Sequence, residues 1–332
     1  MTRTGTTRHG SLQFYPRVRA KEFLPSVHWN SIVKKETGLM GFIGYKVGMM
    51  SAYVKDNTAQ SMTKGKRIIV PVTILECPKI KVLSVRFYKD KKITGAVMNK
   101  NLDKELARVI KLPKNIHTKF EDFKEGDYDD IRVVVYSDVK KTGVKKAPDI
   151  VEVGVSGELN QKLDFAKNIF SKEITIKDFI KEGVVDMRGV TKGKGFQGTI
   201  KRFGLGLKAH KSEKGRRTLG SGGPWHPSRV DYTQPRAGQM GFFTRVVYNN
   251  KIVSMGSISE KDINPACGFN GFGKIKTDYL IVQGSIQGAP KRQLLITMPL
   301  RPSKKQTKKT YDFIELRWKY KYSIQKERKQ KK

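Results

Sequence analysis

The chain has 332 residues, and its 67 Lys and Arg against 30 Asp and Glu give a formal net charge of +37. Only a polyanionic partner offsets so much self-repulsion. We expect nucleic acid rather than an anionic membrane surface, because each neutralised phosphate releases a counterion and so adds affinity. The sequence has no apolar run long enough to span a bilayer and no signal peptide after Met1, so we expect neither a membrane segment nor export.

The positive charge is not spread evenly along the chain. Residues 100–186 hold 17 basic and 17 acidic residues, whereas the other 245 residues hold 50 basic and 13 acidic ones. This partition predicts a charge-neutral module that faces solvent, set between segments that face a polyanion.

The first predicted elements are strands. Apolar or alternating runs bounded by turn residues predict strands at Phe42–Val54, Arg67–Glu76 and Ile80–Lys89. The neutral module then opens with apolar residues at helical spacing, which predict a helix over Asn101–Lys111. A β-branched run predicts a strand at Ile131–Tyr136.

Two further helices are expected before the module ends. Ser156 is a candidate N-cap for a helix that extends to Phe170. Thr175 and Asp178 have the spacing of a capping box, which predicts a short helix that Gly183 stops.

The C-terminal part again predicts strands, at Arg245–Met255, Asp278–Gln283 and Gln293–Met298. Short strands that close around an insertion favour a barrel over alternating βα units. We therefore predict a mainly β fold with an α/β insertion. Its expected divisions are a basic N-terminal extension (1–37), a first barrel part (38–99), the insertion (100–186), a second barrel part (187–300) that contains a basic loop (190–241), and a basic tail (301–332).

Three segments contain too little apolar surface to form a core of their own: Met1–Lys35, Val190–Gly241 and Arg301–Lys332. We expect them to be disordered in the free protein and to become ordered on RNA, where phosphates act as counterions.

The segment Gly193–Gly198 matches the G-x-G-x-x-G pattern of dinucleotide-binding loops. Such a site needs a buried strand before the loop, a helix that opens at the third glycine, and an acid about 20 residues later. The preceding Arg188–Lys192 is basic, Glu213 lies among lysines, and no kinase catalytic motif follows. We interpret these glycines as positions where the backbone approaches RNA closely.

A second glycine-rich stretch, Gly220–Pro227, carries one large aromatic side chain. Trp225 is predicted to be a base-stacking platform or a plug in a neighbouring surface, and the alternative is that it folds back into the core. His210 and His226 have no further ligand at metal-binding spacing, so RNA contact is favoured over a solvated surface role, and neither metal binding nor catalysis is expected.

The two cysteines, Cys77 and Cys267, are far apart and have no companion ligand nearby. That spacing excludes a zinc ribbon and a disulfide framework. We expect both to be small buried side chains.

Several motifs, whose order and spacing fit along nearly the whole chain, resemble the ribosomal protein L3 family, also named uL3. The resemblance is carried by Gly41–Met49, Val190–Gly198 and Ala237–Gly241. The archaeal and eukaryotic branch is indicated by Arg8–Leu12, Pro16–Arg19 and Pro224–Pro227. The chain length favours the archaeal members.

This resemblance implies a six-stranded translation-protein β-barrel interrupted by an α/β insertion. It implies binding to 23S rRNA and to neighbouring proteins of the large (50S) ribosomal subunit in the cytoplasm, and a role in early subunit assembly. The loop 190–241 would extend towards the peptidyl transferase centre, with Trp225 and His226 near its tip and the N-terminal segment beside it. No enzymatic activity, cofactor, metal, membrane or small-molecule substrate is implied.

Basicity and the resemblance together define the candidate RNA-binding residues. They are Arg3, Arg8, His9, Arg17, Arg19, Lys46, Lys192, Lys194, Lys201, Arg202, His210, Lys211, Arg216, Arg217, Trp225, His226, Arg229, Arg236, Gln239 and Arg245. Phe242 and Phe243 stand where relatives often carry Tyr-His, so no polar RNA contact is carried over to them. His210 aligns with a methylated histidine of eukaryotic members, but its surroundings differ and the modification is not carried over.

Two other function classes remain open at this point. One is a free rRNA chaperone or RNA-modifying factor, although we find no general base and cofactor pocket for an enzyme. The other is a membrane-surface protein, which the strand-rich pattern and the lack of a basic amphipathic helix oppose.

Overall fold

The computed structural model describes residues 9–32, 36–113, 115, 118–123, 126–180, 183–223, 225, 226 and 228–317. Within them, strands predominate over helices, as predicted. The strands are β1 (Gly38–Leu39), β2 (Gly41–Asp56), β3 (Arg67–Cys77), β4 (Ile80–Lys89), β5 (Lys92–Met98), β6 (Asp130–Ser137), β7 (Ile150–Ser156), β8 (Val184–Val190), β9 (Phe196–Gln197), β10 (Gly238–Gln239), β11 (Thr244–Ser257), β12 (Asp278–Gln283), β13 (Gln293–Thr297) and β14 (Tyr311–Arg317).

The helices are few and short. The α-helices are α1 (Leu159–Ile169), α2 (Ile176–Phe179), α3 (Thr199–Phe203) and α4 (Lys304–Thr307). Single 3₁₀ turns occur at Leu12–Phe14, Trp29–Ser31, Lys104–Arg108, Phe120–Asp122 and Val139–Thr142.

Six strands are hydrogen-bonded in a cycle, in the order β2, β3, β12, β11, β8, β13 and back to β2. The pairings β2–β3, β3–β12, β12–β11, β8–β13 and β13–β2 are antiparallel. Long apolar runs make this arrangement possible: β3, for example, is almost completely buried from Val72 to Cys77. β14 pairs with the outer part of β2 and lies outside the cycle.

A second sheet has five strands in the order β1-β7-β6-β4-β5. β4 pairs with β6 and β5 rather than with β3, its neighbour in sequence. The prediction placed Ile80–Lys89 in the first barrel part, and that assignment is wrong. Cross-strand pairing of β4 with the β-branched run Ile131–Val135 buries Val82, Val85 and Phe87, which a surface strand would leave in water.

Most predicted elements are confirmed, and the errors concern the helices. The capping box is present, because Asp178 Oδ2 accepts hydrogen bonds from the N–H and the hydroxyl of Thr175, at 2.9 and 2.7 Å. Ser156, in contrast, ends β7, and its hydroxyl donates to carbonyl oxygens at Glu36 and Gly38, so the cap of α1 is Glu158. Over Asn101–Lys111 only the 3₁₀ segment Lys104–Arg108 is helical.

Two segments expected to lack a core contribute to one. Trp29 is 4% exposed and packs between Gly41 and Gly154, where a Cβ atom would come within 3 Å of its ring or Cβ. β14 places Leu316 against the main core at 5% exposure. Residues 1–8 and 318–332 of the basic termini lie outside the described residues.

Cys77 is buried, as predicted, whereas Cys267 is exposed, contrary to the prediction. Cys77 ends β3 inside the core, and burial raises the pKa of its thiol. Cys267 lies beside Gly268 in the loop between β11 and β12, and its side chain is exposed.

The chain forms two compact units. The first, here called the basic unit, comprises residues 1–22 and 190–245. The second, here called the body, comprises residues 23–189 and 246–332 and contains the five-stranded sheet.

Candidate nucleic-acid interface

The two arms of the basic loop are hydrogen-bonded to each other at its base. Lys194 N–H donates to Met240 O and Met240 N–H to Gly195 O, both at 2.9 Å, and Phe242 N–H donates to Lys192 O at 3.2 Å. The short strands β9 and β10 continue this ladder. The motifs Val190–Gly198 and Ala237–Gly241, distant in sequence, therefore form one structural element.

Gly241 is required by this ladder. Its φ is +72°, and a Cβ atom built on it would lie 2.1 Å from the carbonyl oxygen of Lys192. Any side chain would clash with the opposite arm, and an L-residue would also be strained at this φ.

The structure changes the reasons for rejecting a dinucleotide site at Gly193–Gly198. A largely buried strand, β8, does precede the loop, and α3 begins directly after Gly198. However, β8 is antiparallel to β13, and α3 has only five residues. A dinucleotide fold needs a parallel βαβ unit with a full crossover helix. The topology therefore still excludes a dinucleotide site here.

The N-terminal segment 9–22 packs against the loop within the basic unit. Ala20 N–H donates to Phe242 O at 2.9 Å, and the Tyr15 hydroxyl donates to Thr233 O at 3.4 Å. Tyr15 also meets Tyr232 edge to face, with ring centroids 6.3 Å apart. These contacts give the segment a defined position although its apolar side chains Leu12, Phe14 and Val18 are at least 40% exposed.

Arginine side chains stack on aromatic rings throughout the basic unit. The Arg17 guanidinium carbon lies 4.4 Å from the Phe203 ring centroid, and that of Arg245 lies 4.2 Å from Phe14. Arg19 stacks on Phe242 at 5.1 Å. Such stacks hold a guanidinium in place while its edge can still donate hydrogen bonds to phosphate. They also give a role to the Phe242–Phe243 pair, since Phe243 lies 5.0 Å from the Arg245 guanidinium.

The positive charges in this unit are close enough to affect one another. Burial lowers the pKa of Arg202 and Arg245, and the charge of Arg17 lowers both further. Both arginines stay charged at neutral pH because the ordinary pKa of this side chain is so high. The buried Arg17 Nε has no hydrogen-bond partner in the described part of the chain. A phosphate beside these arginines would relieve the repulsion among their charges.

Most predicted contact residues of the basic unit are exposed to solvent. Trp225 is 87% exposed, which contradicts the alternative that it folds into the core. His9, Arg17, Arg202, Gln239 and Arg245 are half-buried. The exposed ones besides Trp225 are Arg19, Lys192, Lys194, Lys201, His210, Lys211, Arg216, Arg217, His226, Arg229 and Arg236.

Lys46 does not join this surface, and the prediction that it contacts RNA is wrong. It belongs to the body and is 6% exposed. Its ammonium donates to the carbonyl oxygens of Ile286 and Gly288, so it fastens the β12–β13 connection to β2. Arg3 and Arg8 lie outside the described residues.

Arg202 and Gln239 hold the loop together. Arg202 donates from Nε to Gln239 O at 3.0 Å and from a terminal nitrogen to Arg236 O at 2.9 Å. The Gln239 amide donates to Gly241 O at 3.0 Å. These side chains fix the arm geometry, so an effect of replacing them would not by itself reveal an RNA contact.

Two exposed aromatic residues of the loop were not among the predicted contacts. Phe196 is 76% exposed and Tyr232 is 79% exposed. Aromatic residues flanked by lysine, arginine and glycine are a usable sequence signal for base stacking. Phe196 has this signal, whereas Tyr232 lies between Asp231 and Thr233 and does not.

The described residues contain no group of three or more His, Cys, Asp or Glu side chains that could hold a metal ion. No helix among them is long and apolar enough to cross a membrane.

Comparison with known proteins decides the family. The model of the family "Ribosomal protein L3" matches residues 1–111 and 110–326. The chain belongs to the ribosomal protein L3 family. Proteins named large ribosomal subunit protein uL3 from Methanosphaera stadtmanae and Methanobrevibacter smithii are 40% and 41% identical to it, over 92% of this chain and 95% of each relative. The uL3 protein of Archaeoglobus fulgidus is 40% identical over 90% of this chain and 92% of its own. The L3 resemblance and its archaeal type are thus confirmed.

Proposed function

We propose that this chain is a structural constituent of the large ribosomal subunit that binds 23S rRNA through its basic unit. One observation carries the proposal: the L3 motifs Val190–Gly198 and Ala237–Gly241 pair to form the base of a loop with many exposed basic side chains. The relatives' name, large ribosomal subunit protein, supplies the particle. The chain accordingly acts in the ribosome and is not an enzyme.

The fold can be related to the L3 architecture. We propose that the cycle of six strands corresponds to the translation-protein β-barrel and the five-stranded sheet with α1 to the α/β insertion. The cyclic pairing order and the interruption between β3 and β8 support this correspondence. The insertion then starts with β4 near Ile80 and ends before β8.

The loop tip is proposed to lie near the peptidyl transferase centre. Trp225 and His226 are both exposed and adjacent, so two flat rings are available for stacking on unpaired bases. Contact with neighbouring large-subunit proteins and a role in early assembly are proposed with it, because a protein that threads between RNA helices has to bind before they close.

Salt dependence tests the RNA contact. Replacing Lys192, Lys194 and Lys201 by Ala removes three exposed charges and leaves Arg202 to hold the arms. The slope of log affinity for 23S rRNA against log salt should become shallower by about 0.7–0.9 per lost phosphate contact. A matched control replaces Lys92, Lys100 and Lys104, which are exposed lysines of the five-stranded sheet region. Equal slopes for both variants and the parent would refute the proposed contact.

Sedimentation separates the proposal from the free-factor alternative. Tagged chain in a cell extract should migrate with the 50S particle and remain there after a high-salt wash. A free RNA chaperone or modifying factor would instead stay near the top of the gradient.

A further inference from the structure

The body carries a second basic surface, formed by the β2–β3 hairpin and the segment that leads into β14. Residues 55–67 and 301–317 together contain ten basic and three acidic residues. Six lysines are exposed: Lys55, Lys64, Lys66, Lys304, Lys305 and Lys308. We propose that this surface, here called the hairpin surface, binds the phosphate backbone of large-subunit rRNA as a site distinct from the basic unit.

Backbone hydrogen bonds place the two segments together. Asn57 N–H donates to Thr310 O at 3.0 Å, and Thr310 N–H donates to Thr58 Oγ1 at 3.2 Å. β2 lies between β3 and β14, so that Lys55 is opposite Arg67 on one side and Asp312 on the other. The lysines of residues 304–309 therefore lead directly into the strand that borders the hairpin.

The hairpin turn is fixed by one buried acid. Asp56 accepts hydrogen bonds from the hydroxyls of Ser61 and Thr63, both at 2.6 Å, and from Thr58 N–H at 3.0 Å. These bonds, with that of Ser61 first, hold the pKa of Asp56 well below its ordinary value. Because the carboxylate is 4% exposed and faces its own turn, it shapes the hairpin without covering the neighbouring lysines.

The lysines of the hairpin surface differ from those of the five-stranded sheet in their partners. In the sheet region, basic side chains pair with acids, as in Lys81–Asp103, Arg132–Glu152 and Lys162–Asp130, at 2.7 to 3.1 Å. Within the described residues, none of the six hairpin-surface lysines has such an ion pair, and Arg67 alone pairs, with Glu315 at 2.6 Å. Positive charge that no acidic side chain compensates attracts a polyanion.

An RNA phosphate backbone suits this surface better than an acidic protein does. Its six exposed lysines act as point charges towards phosphate. Of large apolar side chains, residues 55–67 and 301–317 expose Met62 and Ile314, which is a small apolar anchor for a protein interface. This inference rests on the proposed rRNA-binding function and adds a second site to it. Two sites on one chain raise the effective concentration of each for the same RNA.

The test uses the full chain with Lys64, Lys66 and Lys305 replaced by Gln, and 23S rRNA as the probe. Three lost phosphate contacts should make the log affinity versus log salt slope shallower by about two to three units. Hydroxyl-radical footprinting should show protections that vanish in this variant and persist in the variant of Lys192, Lys194 and Lys201. The variant with Lys92, Lys100 and Lys104 changed to Gln is the control for charge alone, and it should keep both slope and footprint.

A charge-preserving variant distinguishes the loss of phosphate contacts from damage to the fold. Changing the same three lysines to Arg should restore slope and footprint if phosphate contact is their role. An unchanged slope and footprint in the Gln variant would overturn the hairpin surface, as would a salt-sensitive complex with an acidic ribosomal protein in place of RNA. If the loop variant also changes nothing, the proposed function fails too, whereas a response of the loop variant alone refutes only the second site.

Discussion

At the scale of single residues, solvent exposure distinguishes Trp29 from Trp225. Trp29 is 4% exposed and fits against two glycines of neighbouring strands, whereas Trp225 is 87% exposed in the loop. Both stand in basic, glycine- or proline-containing segments, so composition does not distinguish them. One ring stabilises the body, and the other is available to a partner.

Replacing each tryptophan by Ala should have opposite effects. Trp225→Ala should change the free energy of unfolding by less than about 0.5 kcal/mol, as for other exposed positions. Trp29→Ala should cost about 3–5 kcal/mol, because it leaves a cavity between strands. Thermal melting of the two variants measures this directly. In assembled subunits, Trp225→Ala should alter chemical probing of the rRNA beside the loop; a large loss of melting temperature in that variant would contradict the exposed position.

At the scale of elements, the contact of β3 with β12 contains a buried carboxylate. Glu76 is 0% exposed, and its Oε1 accepts hydrogen bonds from the N–H groups of Lys276 and Thr277 and from the Thr277 hydroxyl, at 2.8 to 3.1 Å. Its Oε2 has no hydrogen-bond partner in the described part of the chain. Burial raises the pKa of Glu76 above its ordinary value of 4.5, and the hydrogen bonds oppose that shift only in part.

This pKa shift predicts a pH dependence. An acid whose pKa is higher in the folded than in the unfolded state contributes stability below its unfolded pKa and loses that stability as the pH rises through the folded value. Glu76→Gln keeps the accepting oxygen and removes the charge, so its stability relative to the parent should increase from pH 4 to pH 7. Glu76→Ala should instead be destabilised at every pH, by about 1–3 kcal/mol for each N–H left without an acceptor. Denaturant unfolding at several pH values measures these stabilities. If the difference in unfolding free energy between Glu76→Gln and the parent did not change with pH, the raised pKa would be contradicted.

At the scale of the whole molecule, the charge-neutral stretch of the chain and the five-stranded sheet have different boundaries. The neutral stretch 100–186 contains β6 and β7, but their partners β4 and β1 lie before it in the chain. Ion pairs also cross this boundary, as in Lys81–Asp103 and Arg86–Glu152. The neutral stretch is therefore a region of the body's surface and sheet, not a separable sheet.

A fragment of residues 100–186 should therefore fail to fold. Without β4, the central strand β6 loses one whole ladder of hydrogen bonds and the apolar side chains of Val82, Val85 and Phe87. We expect no cooperative melting and little amide protection in this fragment. A fragment of residues 79–182, which restores β4 and β5, should protect the β6 amides more strongly. Equal protection in the two fragments would show that β4 is dispensable.

The sequence by itself determined the family and most strands, and its charge indicated the chemical class of the proposed partner, because charge segregation, alternation and motif order are local properties. Tertiary structure decided the rest. It assigned Ile80–Lys89 to the second sheet, since strand partners are chosen by burial across distant segments. It showed that Lys46 is not available to RNA, because the Lys46 ammonium donates to the carbonyl oxygens of Ile286 and Gly288, which lie far along the chain. It also brought two lysine-bearing segments together beside β2, which no linear pattern indicates, because only strand pairing makes residues 57 and 310 neighbours.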